Sequence, residues 1–289
     1  MEFKTSMTVP TVKLRYFAYN CLEIKLPDGK TLVIDPCLQK EGQFACGYDE
    51  TALEGCDYVL VNHSHVDHVD TLGKVYDRFH PMIYAHAHTA QALAKYYDIP
   101  YIMITPFTTG DEFILDSFKF QVVRGQHNTT KAFMVRPSGR VDEFASAKFN
   151  FNFEDPELQF LMDAGTQYDS NFLITLSNNL RIGFFAGNPG MVEPQDKYLW
   201  SQLRPDIVFA HRAKWTDKNY ADKMSNVLAV TGARLMMPIH IEDAYKDDYS
   251  AAEYMENVNR VCEEKGIAGR MMFLEKAQWY EFTTGVRKL

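Results

Sequence analysis

The sequence predicts an α/β fold in which two mixed β-sheets pack face to face and helices cover their outer faces, a four-layer αββα sandwich. Short apolar runs bounded by turn residues occur in both halves of the chain, as is typical of β-strands. In each half, segments with helical periodicity flank these runs. Strand-rich halves that are each flanked by helices indicate two sheets with helices outside them.

The predicted elements can be placed in chain order. Three strands in meander order come first, and the Pro27-Asp28-Gly29 turn precedes the third. Strands and helices then alternate, a second strand-rich stretch follows, and the C-terminal third alternates again. We expect strands at 12–19, 21–26, 31–34, 57–61, 82–85, 101–104, 112–115, 118–123, 158–162, 171–176, 181–185, 206–210, 234–239 and 271–274, and helices at 67–79, 89–97, 221–231 and 250–265.

Length and hydrophobic content indicate a single domain. The 289 residues are 46% hydrophobic, which is enough to bury one large core. We therefore expect residues 1–289 to form one domain. Segment 129–156 has little periodicity but several phenylalanines, and a loop of this length in a compact domain is usually functional. We predict that it is a lid or an oligomer contact.

The charge of the chain limits its partners. The formal net charge is −8, and no stretch is rich in lysine and arginine. Proteins that bind nucleic acid or anionic membranes usually have a basic patch, so neither partner is expected. A small-molecule substrate in a local pocket fits better, and assembly into a homo-oligomer stays open.

Cysteine usage and the N-terminus favour a cytoplasmic protein. The five cysteines are odd in number and widely spread, and they include no Cys-x-x-Cys pair. This pattern argues against a disulfide framework and against a thiolate zinc site. The first residues lack the apolar stretch of a signal peptide, and no run approaches the length of a membrane span.

A cluster of metal-ligand residues follows the apolar run 58–61. His63, His65, Asp67 and His68 form a His-x-His-x-Asp-His pattern where a predicted strand ends and a predicted helix begins. This spacing can direct imidazoles and a carboxylate into one small volume. Such ligands suit Zn²⁺, Fe²⁺ or Mn²⁺.

Further ligand-type residues follow other predicted strands, where a rigid scaffold could direct them to the same site. They are Asp35, His127, Asn188 and His240. The order of these residues along the chain resembles that of the metallo-β-lactamase fold superfamily, and the match spans nearly the whole sequence. Segments 32–38 and 237–240 are more specifically similar to the branch that contains L-ascorbate-6-phosphate lactonase.

The resemblance implies a ligand set. Asp35 would lie behind the ligands and orient them, as metal sites generally require. The implied ligands are His63, His65 and His127 for a first ion, and Asp67, His68 and His240 for a second. We expect one or two divalent transition metal ions, with zinc favoured and manganese or iron as alternatives.

One position departs from the family pattern. Asn188 stands where the family usually has an aspartate that bridges both ions, and a neutral amide is a poorer donor than a carboxylate. Three alternatives follow: the second ion binds weakly, the site uses one ion, or a nearby residue such as Asp163 replaces the bridge.

The ligand set predicts a metal-dependent hydrolase. A bound cation makes hydroxide available near neutral pH, and this hydroxide would attack an ester, lactone or phosphoester bond of a small metabolite. Asp67 is the expected catalytic residue, since it could orient the nucleophile and move its proton. Because of Asn188, a non-catalytic or redox metal-binding protein on the same fold is the alternative.

Four further residues are candidates for substrate contact. His211 follows a predicted strand and is a substrate contact, a proton relay, an extra ligand or simply a packed loop histidine. Asn20 is suggested by the lactonase-like branch, which often has a polar residue near that turn. Arg136 and Arg140 could clamp a carboxylate or phosphate, or could be solvated surface arginines.

Overall fold

The computed structural model of the chain describes residues 10–41, 45–125, 127, 130–135, 141–146, 153–185, 194–214, 217–242 and 250–283, with the backbone alone for 130–135, 141–146 and 195. The strands are β1 Thr11–Tyr16, β2 Leu22–Lys25, β3 Thr31–Ile34, β4 Tyr58–Leu60, β5 Met82–His86, β6 Ile104–Phe107, β7 Glu112–Ile114, β8 Phe118–Arg124, β9 Thr130–Val135, β10 Val141–Ser146, β11 Ser170–Leu176, β12 Arg181–Phe185, β13 Ile207–His211, β14 Leu235–Ile239, β15 Arg270–Met271 and β16 Tyr280–Thr283. The helices are α1 Val66–Val69, α2 Leu72–Phe79, α3 Ala87–Tyr96, α4 Pro156–Gln167, α5 Pro194–Leu203, α6 Tyr220–Thr231 and α7 Ala251–Glu264.

Two mixed seven-stranded sheets form the centre of the described part of the chain. The first has the strand order β16-β1-β2-β3-β4-β5-β6, and the second has the order β15-β14-β13-β12-β11-β8-β7. Strands β3 to β6 run parallel, as do β12 to β15, whereas the meander strands pair antiparallel. This architecture confirms the αββα sandwich that the sequence predicts.

The side-chain alternation of the strands explains the layering. Leu60 of β4 belongs to the apolar core between the sheets, whereas its neighbour Val59 packs in a second core that includes residues of α2 and α3. In the second sheet, Phe209 faces the central core and Val208 packs in a third core with residues of α6 and α7. Because successive strand residues point to opposite faces, strands buried on both sides are apolar throughout.

Some predicted elements were wrong in type or extent. Residues 158–162, predicted as a strand, lie inside helix α4, which begins with Pro156 after the N-cap Asp155. A five-residue apolar run does not distinguish a strand from one buried helix face. Strand β16, which pairs with β1, was not predicted. Within segment 129–156, β9 and β10 pair as a two-stranded antiparallel sheet, and the role of this segment as a lid or contact stays a prediction.

None of the helices in the described ranges has both the length and the apolar character of a transmembrane span.

The sheets bring several strand ends to one edge of the sandwich. Asp35 follows β3, His63 follows β4 and His127 follows β8, while His211 ends β13 and His240 follows β14. These strands run in the same direction within their sheets, because β8 is antiparallel to β11 and β11 is antiparallel to β12. The carboxyl-terminal edge of such sheets is where ligands generally bind in α/β folds.

We predict that Phe172→Ala lowers the free energy of unfolding by about 3–5 kcal/mol, because it leaves a cavity in the central core. Phe172 is fully buried and lies against the rings of Phe107 and Phe120. Chemical denaturation monitored by circular dichroism measures the loss. Ile102→Ala, at a side chain that is 84% exposed, is the control and should stay within about 0.5 kcal/mol of the unmutated protein. Equal losses in both variants would contradict the assignment of the core.

Candidate metal centre

Two groups of metal-ligand side chains lie at the carboxyl-terminal edge of the sheets. Within each group, one donor atom of every residue lies within 4.8 Å of those of the others. The groups are His63, His65 and His127, and Asp67, His68 and His240. The groups are adjacent, since the ring centroids of His63 in the first and His68 in the second are 3.7 Å apart. The structure therefore brings together the same two sets of three that the sequence predicts as ligands.

His63 gives the clearest test of whether a cation fits. Its ring is buried, and its Nε2 atom has no hydrogen-bond partner among the residues that the structure describes. Its Nδ1 contacts Oδ1 of Asn62. Because an amide oxygen only accepts, Nδ1 has the proton and Nε2 has the lone pair. Buried polar atoms are almost always paired, so an unpaired imidazole nitrogen among other histidines and a carboxylate fits a divalent transition metal ion.

His65 is held from the side opposite its ligand atom. Its Nε2 lies 3.0 Å from the carbonyl oxygen of Met162 and 2.8 Å from Oγ1 of Thr166. A carbonyl oxygen can only accept, so Nε2 has the proton and the lone pair is on Nδ1. The second histidine of the motif thus has the opposite tautomer to the first.

His68 is oriented by Asp35. Oδ2 of Asp35 accepts a hydrogen bond of 2.8 Å from Nδ1 of His68, and Oδ1 accepts one of 2.6 Å from the backbone N–H of Asn62. Burial raises the pKa of Asp35, and the hydrogen bonds from Asn62 and Asn20 act in the opposite direction. Asp35 also adopts φ of +45°, a left-handed conformation that costs energy for a residue with a side chain. Asp35 is therefore where a residue that orients a ligand should be.

Asp67 and His240 meet directly, at 2.9 Å between Oδ2 and Nε2. The backbone of His240 is fixed on both sides, because its N–H donates to the carbonyl of Tyr19 at 2.6 Å and its carbonyl accepts from Nε of Arg212 at 3.0 Å. Burial alone would raise the pKa of Asp67, but the imidazoles of His68 and His240 outweigh it and hold this pKa below its usual value. Asp67 is therefore a carboxylate at neutral pH.

The imidazoles of the motif are neutral. Burial is the largest cause that lowers the pKa of His63, His65 and His68, and neighbouring imidazoles lower these pKa values further. For His65 the pKa falls to about 3. A neutral imidazole keeps the lone pair that a cation needs.

His211 lies beside the second group. Its ring centroid is 4.6 Å from that of His240, and its Nδ1 is 2.9 Å from the carbonyl oxygen of Arg212. The proton is therefore on Nδ1 and the lone pair on Nε2. Burial and the imidazole of His240 both lower the pKa of His211. The position agrees with a residue near the reaction, and its role stays a prediction.

Asn20 is fully buried, with Nδ2 3.3 Å from Nδ1 of His68. The structure places it against His68, a member of the second group, and against Asp35, which orients the ring of His68. Its predicted contact with a substrate stays a prediction.

Asp169 was not predicted as a site residue. This residue is buried, its Oδ1 lies 3.9 Å from Nδ1 of His63, and neither carboxylate oxygen has a hydrogen-bond partner within the described ranges. Burial raises the pKa of Asp169 to about 7. Its backbone carbonyl accepts from the N–H of Gly125 at 3.0 Å, which ties it to the chain that leads to His127. No spacing in the sequence distinguishes this aspartate from any other at the start of a strand.

Three predicted site residues, Asn188, Arg136 and Arg140, lie outside the described residues, and their roles stay predictions. Asp163, the suggested replacement for a bridging carboxylate, lies on α4 and accepts a hydrogen bond of 3.1 Å from Gln159. It belongs to neither of the two groups found in the described part of the chain.

Comparisons with solved structures show the same fold elsewhere. A metallo hydrolase from the hyperthermophilic archaeon Ignicoccus hospitalis superimposes with a TM-score of 0.64 at 14% identity, covering 96% of this chain and 100% of that one. An isothiocyanate hydrolase from Delia radicum gut bacteria gives 0.62 at 17%, covering 94% and 100%. A diiron β-hydroxylase from Streptomyces venezuelae gives 0.58 at 11%, covering 96% of this chain and 55% of that one. Identities this low show a shared fold alone.

Sequence comparisons are more specific about the family. No curated protein gives a significant sequence match. A family model described as the Beta-lactamase superfamily domain matches residues 30–241, a range that begins before Asp35 and ends just after His240. The comparisons show the fold and the superfamily and do not single out the lactonase-like branch. The match covers most of the chain and every ligand-type residue of both groups, so the chain belongs to the β-lactamase superfamily and has the metallo-β-lactamase fold.

Proposed function

We propose that the protein is a metal-dependent hydrolase that cleaves an ester, lactone or phosphoester bond of a small metabolite. The observation that supports this most strongly is the buried, unpaired Nε2 of His63 inside a group of three histidines. A second group with a carboxylate lies directly beside it. His63, His65 and His127 would hold one ion, and Asp67, His68 and His240 would hold a second.

The donor set defines the chemistry. A divalent cation bound there supplies Lewis acidity, which lowers the pKa of a water molecule from about 15.7 towards about 7 and polarises a carbonyl or phosphoryl oxygen. Imidazole and carboxylate ligands suit zinc first, and iron or manganese as alternatives.

The protein's own residues supply proton transfer and orientation. Asp67 remains a carboxylate because its pKa is lowered, so it can accept a hydrogen bond from an attacking water and orient it. We propose that it also relays the proton of that water to the leaving group. His211 has its lone pair on Nε2, so it can accept a hydrogen bond from a substrate hydroxyl or amide. Asp35 keeps the ring of His68 in one orientation throughout.

A second candidate is a non-catalytic or redox metal-binding protein on the same fold. It is motivated by Asn188, which replaces the usual bridging aspartate. The fold is shared with a diiron β-hydroxylase, and imidazole–carboxylate sites also suit iron. Bound metal without hydrolysis, and no gain of activity in Asn188→Asp, would favour this candidate.

The two ligand groups should give the purified protein a measurable metal content. The purified protein should retain a divalent transition metal ion after gel filtration. His63→Ala should bind this ion more than about 100-fold more weakly, because losing a ligand weakens metal binding more than losing a residue that orients a ligand. Elemental analysis and competition with a chelator measure this.

The control for metal content is His80→Asn. His80 is the C-cap residue of α2, at the end of the helix that is farther in sequence from the metal motif. Its φ is +53°, a conformation that asparagine tolerates. Its metal content should equal that of the unmutated protein. A protein that binds no metal, or equal losses in both variants, would reject the proposed site.

A metal-dependent hydrolase should also turn over a suitable substrate. The metal-replete protein should hydrolyse at least one compound in a panel of esters, lactones and phosphoesters, and a chelator should abolish the activity reversibly. Asp67→Asn should lower kcat by about 10²–10⁴, the usual contribution of a proton-transfer group. Metal content is measured in parallel, because Asp67 belongs to a ligand group.

Asp163→Asn is the matched control for turnover, since Asp163 is a carboxylate of α4 that contacts Gln159 and belongs to neither group. It should keep full activity. No hydrolysis of any panel compound by the metal-replete protein would leave the non-hydrolytic candidate in place.

A further inference from the structure

Helix α4 contacts three consecutive residues of the metal motif. Oγ of Ser64 donates to the carbonyl of Leu161 at 2.5 Å, and the backbone N–H of Val66 points to Sδ of Met162 at 3.3 Å. Between them, the ring of His65 bonds to the Met162 carbonyl and to Thr166. Residues 64–66 of the motif are therefore fixed against this helix.

Gly165 permits this close approach. A β-carbon at Gly165 would lie 2.7 Å from Cδ2 of His65, 3.0 Å from its backbone nitrogen and 3.1 Å from that of Ser64. Two of these three atoms are backbone and cannot move aside as a flexible side chain would. Only glycine lets α4 come near enough for Thr166 to bond to the imidazole.

Thr166 and Met162 together determine which nitrogen of His65 has the proton. The hydroxyl of Thr166 donates to the Met162 carbonyl at 3.1 Å, so its oxygen is available as an acceptor towards Nε2. Both neighbours of Nε2 therefore accept, and Nε2 must donate. His65 and Thr166 are both buried, which shields these bonds from competition with water.

We propose that Thr166 is a positioning residue for the first ligand group, which fixes His65 in the Nε2–H tautomer and so directs its Nδ1 lone pair into the group. This inference rests on the metal site of the proposed function. It assigns a role to α4, a helix that contributes no ligand-type residue to either group.

The test measures metal affinity in full-length variants. Thr166→Val keeps the shape of the side chain but removes the acceptor, and it should weaken Zn²⁺ or Co²⁺ binding by about 10–100-fold, as is typical for loss of a group that orients a ligand. Thr166→Ser restores the hydroxyl and should bind within about threefold of the unmutated protein. The visible spectrum of the Co²⁺ form should change in the valine variant and be restored in the serine variant.

Thr231→Val is a matched control. Thr231 is also a buried helical threonine that donates to the carbonyl four residues before it, Val227, at 2.7 Å. It therefore reproduces the loss of the hydroxyl inside a helix without affecting a histidine. Its metal affinity should not change. Equal affinity in Thr166→Val and the unmutated protein, or equal weakening in Thr231→Val, overturns the inference.

A second measurement does not depend on metal or on the valine variant. Ring ¹⁵N chemical shifts of His65 in the metal-free, unmutated protein should report the Nε2–H tautomer, and the Nδ1–H tautomer would overturn the inference. If the unmutated protein binds no metal but His65 shows the expected tautomer, the proposed function fails while the positioning by α4 stands.

Discussion

The packing of two apolar sheet faces against each other is the constraint on which the ligand groups depend. Phenylalanines such as Phe120, Phe172 and Phe209 of the second sheet meet the aliphatic faces of β3 and β4 in one central core. This packing fixes the ends of β3 and β4 opposite the ends of β8 and β14. The ligand-type residues that follow these strands then meet because the strands do, and no ligand has to be brought in by a long loop alone.

The site is also where the structure departs from the usual rules of burial. Several buried polar atoms without a hydrogen-bond partner in the described part of the chain lie around His63. They include Nδ2 of Asn62, Nε2 of His63 and both carboxylate oxygens of Asp169. Each unpaired polar group costs about 1–3 kcal/mol. Asp35 and His240 add left-handed backbone conformations next to them. Such costs persist where the surrounding structure fixes the residues and function requires them.

The sequence was sufficient for most strands of the two sheets and for the two sets of ligand-type residues, because both have local signals. Apolar runs with period two mark strands, and the spacing of His63, His65, Asp67 and His68 marks a site. The residues that orient the ligands have no such signal. Thr166 lies in a helix whose apolar run at 158–162 was predicted as a strand, and its contact with His65 spans about 100 residues of chain. Asp169 likewise acquires its place near His63 only through the tertiary fold.

Both ligand groups take residues from the short motif at 63–68, but each is completed by a histidine that follows a different strand of the second sheet. His127 follows β8 and His240 follows β14, and the strands β11, β12 and β13 lie between them. Strand β12 is the middle one of these three. Within the described residues, each group has its own support. Thr166 and Met162 orient His65 of the first group, while Tyr19 and Arg212 fix the backbone of His240 in the second. Separate supports permit the two groups to differ in affinity for an ion, as we expect if Asn188 supplies no bridging carboxylate.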